Sequence, residues 1–248
     1  MHESDHSSRV QPTHVPPPGA LGEKAGPHAL QILMTEHWSL LSARSLGYTE
    51  AMSRASIFVA ALTGSVVALA LVGQATNFAG GFNAFALVLL PVVFFLGCVT
   101  VARIAQINRE DAHWVQGMNR IRNAYGDLAP ELDPYFVTSK YDDDEGVLVS
   151  TLAVPNVIPQ LQGFVAIPGV IAVLDSVVAG AIAAIAALAL GAGTAASVGI
   201  GIAFFVLTLA VFVAVAVLLV NYFRRRIVVR FPTPDHGSTR RRHPRDSA

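Results

Sequence analysis

One cysteine, Cys98, occurs in 248 residues, and it sits inside an apolar run, so neither an intrachain disulfide nor a thiolate zinc cluster can form. Charge is scarce too: 14% of residues are Asp, Glu, Lys or Arg against 53% hydrophobic, far from the balance of a globular domain. Catalytic signatures are missing. There is no Gly-rich phosphate loop, no HExxH, no GxSxG and no pair of intramembrane carboxylates, so the sequence predicts no catalytic residue, no cofactor, no metal and no enzyme. Residues 1–27 lack the apolar core of a secretory signal and are expected to be uncleaved and disordered, because they have too little apolar surface to offset the entropy of ordering. His2, His6 and His14, scattered through that tail, read as solvated rather than as metal ligands.

What the chain has in quantity is apolar sequence, gathered in four runs near 55–72, 85–104, 169–190 and 198–222. Each approaches the ~20 residues a helix needs to cross ~30 Å of hydrocarbon. There every backbone amide must be bonded within its own segment, so four transmembrane helices are predicted. Arginines stand only at one end of each pair: Arg54 before the first run, Arg103, Arg109, Arg120 and Arg122 after the second, Arg224, Arg225, Arg226 and Arg230 after the fourth. The turns "GQATNFAGGFNA" and "GAGTAAS" carry no charge. Positive charge stays inside, so both termini and the middle of the chain are expected in the cytoplasm of a plasma-membrane protein.

The expected architecture is all-α and polytopic, with four transmembrane helices in two hairpins and a cytoplasmic antiparallel helical stalk. Its parts are a tail over 1–27, an amphipathic helix over 28–54, a first hairpin over 55–104 and a helix over 105–129. An acidic, proline-containing loop over 130–168, a second hairpin over 169–222 and a basic tail over 223–248 follow.

The stalk rests on two stripes at heptad spacing. Leu30, Met34, His37, Leu41, Arg44, Tyr48, Ala51 and Ala55 form one, with Gly47 as a place to bend. Ile104, Ile107, Asp111, Trp114, Met118, Ile121, Tyr125 and Leu128 form the other, broken only by Asp111. With Ser56 and Arg103 at one depth, Glu50 comes level with Arg109, Glu36 with Arg122 and Asp111 with Tyr48. His37 and His113 are then ~13 Å apart along the axis, too far to share a metal ion. Each stripe is expected to pack on its neighbour or on another copy of the chain.

The run Asp142, Asp143, Asp144, Glu145 lacks the alternate spacing of a calcium loop and reads as a solvated turn capping a short helix at "EGVLVSTLA". Pro155, Pro159 and Pro168 forbid a long helix after it and suggest an apolar approach along the interface. In the third run, Ala172, Ser176, Gly180 and Ala184 make a small-residue row, suited to packing within the chain or to an oligomer or pore face. Asp175 is the one acid near a span interior, a candidate for an ion path with water still in reach. Pro91 is a candidate kink, and Arg224, Arg225 and Arg226, below Tyr222 and Phe223, are expected to bind lipid headgroups. The basic tail names no fold that reads bases, so no nucleic-acid partner is expected.

The layout over 30–128, a helix leading into a tight two-span hairpin and a long helix leaving it, resembles the SLATT-type effectors of bacterial conflict systems. "TEHWSLLSARSLGYTEAMSRAS" and "EDAHWVQGMNRIRNAYGDL" carry the resemblance, and the second hairpin departs from that two-span pattern. The resemblance implies a non-enzymatic membrane effector that oligomerises through its cytoplasmic helices when a partner signals. Two other readings stay open: a constitutive scaffold docking a cytoplasmic protein, and a small ion-conducting or transport subunit using Asp175. Lipids, further copies of the chain and a cytoplasmic protein are the expected partners.

Overall fold

The structure, a computed structural model, describes residues 26–78, 80–152, 167–224 and 228–234. Among these it is all-helical, without a strand. Helix α1 spans Pro27–Thr76, α2 Gly80–Leu128, a 3-10 turn Pro130–Tyr135, α3 Asp144–Leu152, α4 Ile167–Ala189 and α5 Thr194–Arg224. α1, α2, α4 and α5 are each long and apolar enough to cross a membrane. α1 and α2, at 50 and 49 residues, are each about 75 Å long, more than twice the ~30 Å of hydrocarbon.

The turn between α1 and α2 is only 77–79, much tighter than the uncharged stretch predicted for it. Asn77 and Phe78 both take positive φ, and the Phe78 N–H closes on Gly73 O at 2.9 Å. A bulky residue adopts such a φ at a cost. Here its ring lies over Gly73, where an added Cβ would sit 2.4 Å from it, and meets Phe82 edge-on. At the other end Pro27 occupies the first turn, where its missing donor is not needed.

α2 is the central helix. It packs along α1 on one side and α4 on the other, α3 lies against its far end, and α5 rests on α4. Phe58 of α1, Ala86, Leu90, Val93, Ile104 and Ile107 of α2, and Ile171 and Val178 of α4 form one continuous core. The buried positions of α2 from Ala86 run 86, 90, 93, 97, 100, 104 and 107, an unbroken heptad pattern that passes Pro91 within a single helix. Lipid is as apolar as Leu, so contacts inside hydrocarbon depend on close packing rather than on escape from water. Glycine provides it: Gly180 of α4 and Gly201 of α5 face each other so closely that a Cβ on either would meet the other's carbonyl at 2.7 or 2.9 Å. The small-residue row of α4, with Ala172, Ser176 and Gly180 buried, is thus used within the chain.

α1 lies on α2 near the predicted depth but turned, so that part of the predicted stripe faces away. Its covered positions include His37, Leu40, Arg44, Gly47, Ala51, Ala55 and Phe58, again three and four apart. Gly47 is no hinge. The Trp114 ring fills the space a side chain would take, with an added Cβ only 2.9 Å away, and α1 continues through it as one helix. Gly117 of α2 receives Leu40 in the same way. Leu30, Met34, Leu41 and Tyr48 lie one position round from this seam and are exposed, whereas Ile107, Met118 and Ile121 of the α2 stripe are buried.

Gly47→Leu is expected to destabilise the α1–α2 contact by about 1–3 kcal/mol through overpacking against Trp114, although leucine is the better helix former. Gly64→Leu, at a position with open space around it, should cost nothing. Unfolding of both variants in mixed detergent micelles makes the comparison, and equal effects would contradict this packing.

Candidate functional site

Three polar groupings interrupt the apolar surface. The first lies between α1 and α2. Arg44 Nε donates to Asp111 Oδ1 at 2.7 Å, joining the charged members of the two predicted stripes. Nearer the apolar ends of these helices, Arg103 grips Glu50 through Nε and Nη2, both at 3.0 Å, while Arg54 donates to the same carboxylate at 2.8 Å. The predicted partners differ: Glu50 meets Arg103 and Arg54 rather than Arg109, Asp111 meets Arg44 rather than Tyr48, and Arg122 donates to Asn119 Oδ1 rather than to Glu36. An arginine fork reaches along the helix as well as across it, so pairs matched by depth alone are displaced by several residues. The hydrogen bonds from Arg103 and then Arg54 hold the Glu50 carboxyl well down, at about 2 against an ordinary 4.5. Beside Arg44 and Asp111 a cavity of about 540 Å³ opens between α1, α2 and the start of α4, with Leu41, Tyr48, Trp114 and Ile167 in its wall.

Further from the spans, His37 of α1 lies 6.2 Å from the Tyr125 ring, and its Nδ1 is buried without a hydrogen-bond partner among the described residues. Burial, and then the Arg122 charge, lower its pKa, so the neutral imidazole is the form that fits.

The second grouping is Asp175 in α4. It was expected within reach of water, but it is fully buried in the α2–α4 contact. Its Oδ2 accepts a weak bond from Cys98 Sγ at 3.4 Å, and its Oδ1 has no partner among the described residues. Gly97 makes the room: a Cβ there would lie 2.1 Å from Oδ1. The neighbouring hydroxyls of Ser176 and Thr100 are already engaged with carbonyls of their own helices.

The third grouping corrects part of the reading of the acidic run as a solvated turn: Asp144 and Glu145 are exposed, but Asp142 and Asp143 are held within the chain. Asp142 has no exposed surface. Its carboxylate accepts from Arg120 Nε at 2.7 Å, from the Arg230 N–H at 3.0 Å and from the Phe231 N–H at 2.7 Å. Its own N–H donates to Phe231 O at 3.0 Å, and its carbonyl accepts from Gln116 Nε2 at 2.9 Å. Asp143 accepts the Thr233 N–H at 2.6 Å and the Thr233 hydroxyl at 2.9 Å, and it caps α3 through the Gly146 N–H at 2.8 Å. Burial works against that charge, but the bonds from Thr233 and Gly146 outweigh it and keep the Asp143 pKa below its usual value. Asn119 completes the corner by donating to Tyr141 O and accepting from Arg122 and Ser150. A carboxylate can be buried when donors surround it, and here α2 and residues 230–233 supply them.

Of the residues predicted to matter, Asp111, Trp114 and Tyr48 come together at the cavity. Tyr125 meets His37 instead. Arg224 ends α5, while Arg225, Arg226 and the approach over 153–166 lie outside the described residues. Sequence reasoning missed the corner built by Gln116, Asn119 and Arg120, because their partners in the acidic loop and beyond α5 lie far along the chain. Among the described residues no three His, Cys, Asp or Glu side chains gather where a metal ion could sit.

The chain matches no family model, no curated protein and no solved structure. Its function has to be argued from these groupings themselves.

Glu50 gives a pH test. Its carboxyl is held below the ordinary value in the folded chain, so the stability it contributes is complete above about pH 4.5 and is lost as pH falls through about 2. The stability gap between the native chain and Glu50→Gln should stay constant above that window and close within it, as followed by thermal unfolding in detergent. A gap independent of pH would contradict the assignment.

Proposed function

We propose that the protein is a non-enzymatic integral membrane protein whose copies associate through the extended part of α1, an effector worked from its cytoplasmic helices. The arginine distribution supports an orientation with both termini and the middle of the chain inside. In that orientation the halves of α1 and α2 beyond the spans stand below the bilayer as a stalk, and the SLATT-like layout favours the effector role over a passive scaffold.

The observation that carries this reading is a side of α1 left uncovered among the described residues. Met34, Trp38, Leu41, Ser45, Tyr48 and Met52 are spaced four and three apart, and all six are exposed, Trp38 and Tyr48 to 64% each. Such a stripe is a coiled-coil seam without its partner. Copies inserted the same way round carry their α1 helices parallel, so identical stripes meet in register. Thr35, Ser42 and Thr49 along its flank are uncharged, so like copies do not repel there.

Cysteines placed singly at Trp38 and at Tyr48, in a chain with Cys98→Ser, should give disulfide-linked dimers on mild oxidation of native membranes, while Ala43→Cys should not. Monomers at both stripe positions would overturn the reading. Induced expression with a membrane-potential dye separates the roles: depolarisation with growth arrest supports an effector, and an inert phenotype supports a scaffold.

One observation favours a second reading. Asp175 is a fully buried carboxyl with one oxygen unpartnered among the described residues, and ionisable groups at membrane depth mark ion or proton paths more often than structure. If the protein conducts, Asp175→Asn abolishes ion flux into vesicles; unchanged flux removes this reading.

A further inference from the structure

Residues 228–233 are held unlike any other described part of the chain. The groups that hold them form a close-packed corner: with the segment seated, Asp142 has no exposed surface and Gln116 keeps 5%. The loop carrying Asp142 is fixed on α2 without help from the segment, by Asn119 to Tyr141 O and by Ser150 to Asn119. What they hold is main chain. The N–H groups of Arg230 and Phe231 point at the Asp142 carboxylate, Thr233 gives its N–H and hydroxyl to Asp143, and Gln116 and Arg120 both donate to Val228 O. Of the segment's side chains only Phe231 and Thr233 are partly buried. Val228 is 65% and Val229 43% exposed, and Arg230 and Pro232 face outward as well.

A segment kept for packing would bury its valines. This one is gripped by its backbone, as a docked extended peptide is gripped. The interior of a helix could not take its place, because its amides are bonded internally.

We propose that the corner formed by Gln116, Arg120, Asp142 and Asp143 is a receptor site for an extended peptide of a protein partner, one offering two successive free amides and a Ser or Thr two residues on, with residues 228–233 as its replaceable resting occupant. Exchange of occupants unties the end of α5 from α2. Within the span α5 rests chiefly on α4, so this contact is the direct tie to α2, beside the indirect one through α4.

The test uses the full-length protein in nanodiscs, hydrogen–deuterium exchange, and a synthetic peptide with the sequence of residues 226–235 as probe. The chain's own amides at 230, 231 and 233 should be protected at rest and should exchange about tenfold faster at saturating probe, the factor expected for losing one strong hydrogen bond. The same peptide N-methylated at the Arg230 and Phe231 amides should have no effect. Thr233→Val alters the occupant and leaves the receptor intact; it should speed exchange of the segment and tighten probe binding. Three results would each overturn the proposal: resting amides that exchange like a free peptide, protection unmoved by millimolar probe, or equal displacement by the N-methylated probe. The α1 association surface is not involved, so dimer crosslinking fails or succeeds independently of this result.

Discussion

Arg44 and Asp111 are the charged members of two otherwise mostly apolar stripes, and their 2.7 Å contact fixes how α1 lies along α2. Neither is more than a third exposed, so separating them would leave a poorly hydrated charge on each helix. Glu50 with Arg103 and Arg54 repeats the constraint where the extensions meet the apolar runs. Between these ion pairs the Trp114 ring settles on Gly47, the one seam position of α1 with no side chain to displace it. That setting decides which side of α1 is spent within the chain and which remains uncovered.

From α2 the constraint spreads to the rest of the molecule. α4 is drawn against its other side, where Gly97 leaves space for Asp175, and α5 follows through the glycine contact with α4. Past the spans, Gln116, Asn119 and Arg120 on the same helix fix the acidic loop, and that loop takes hold of the segment after α5. The first and last long helices, which scarcely touch, are thereby both tied to the same end of one rod, α1 through Leu40 on Gly117 and residues 228–233 through Gln116 and Arg120.

The four apolar helices were legible because each holds a run of about twenty residues with hardly a charge, and a single run of that length satisfies its backbone in hydrocarbon only as a helix. The stripe of α1 was legible as a pattern, but its facing was not. Leu33 and Leu40 lie one residue from Met34 and Leu41, and spacing alone cannot say which set meets α2. The deciding cue was complementarity between chains of residues far apart, a glycine opposite a tryptophan and a lone arginine opposite a lone aspartate. The acidic corner was illegible for another reason. Asp142 and Arg230 are 88 residues apart, and a side chain that recognises main chain leaves no trace in the sequence of what it recognises.

Everything proposed for α1, covered on one side and free to associate on the other, depends on the setting fixed by Arg44 and Asp111. The most direct measurement is a charge-reversal cycle, Arg44→Asp, Asp111→Arg and the double variant, read by unfolding in mixed micelles. Each single reversal should destabilise, and the double should recover most of the loss, with a coupling of roughly 1 kcal/mol. Two single effects that merely add in the double variant would show that the residues do not meet, and with them would go the assignment of the covered and uncovered sides of α1.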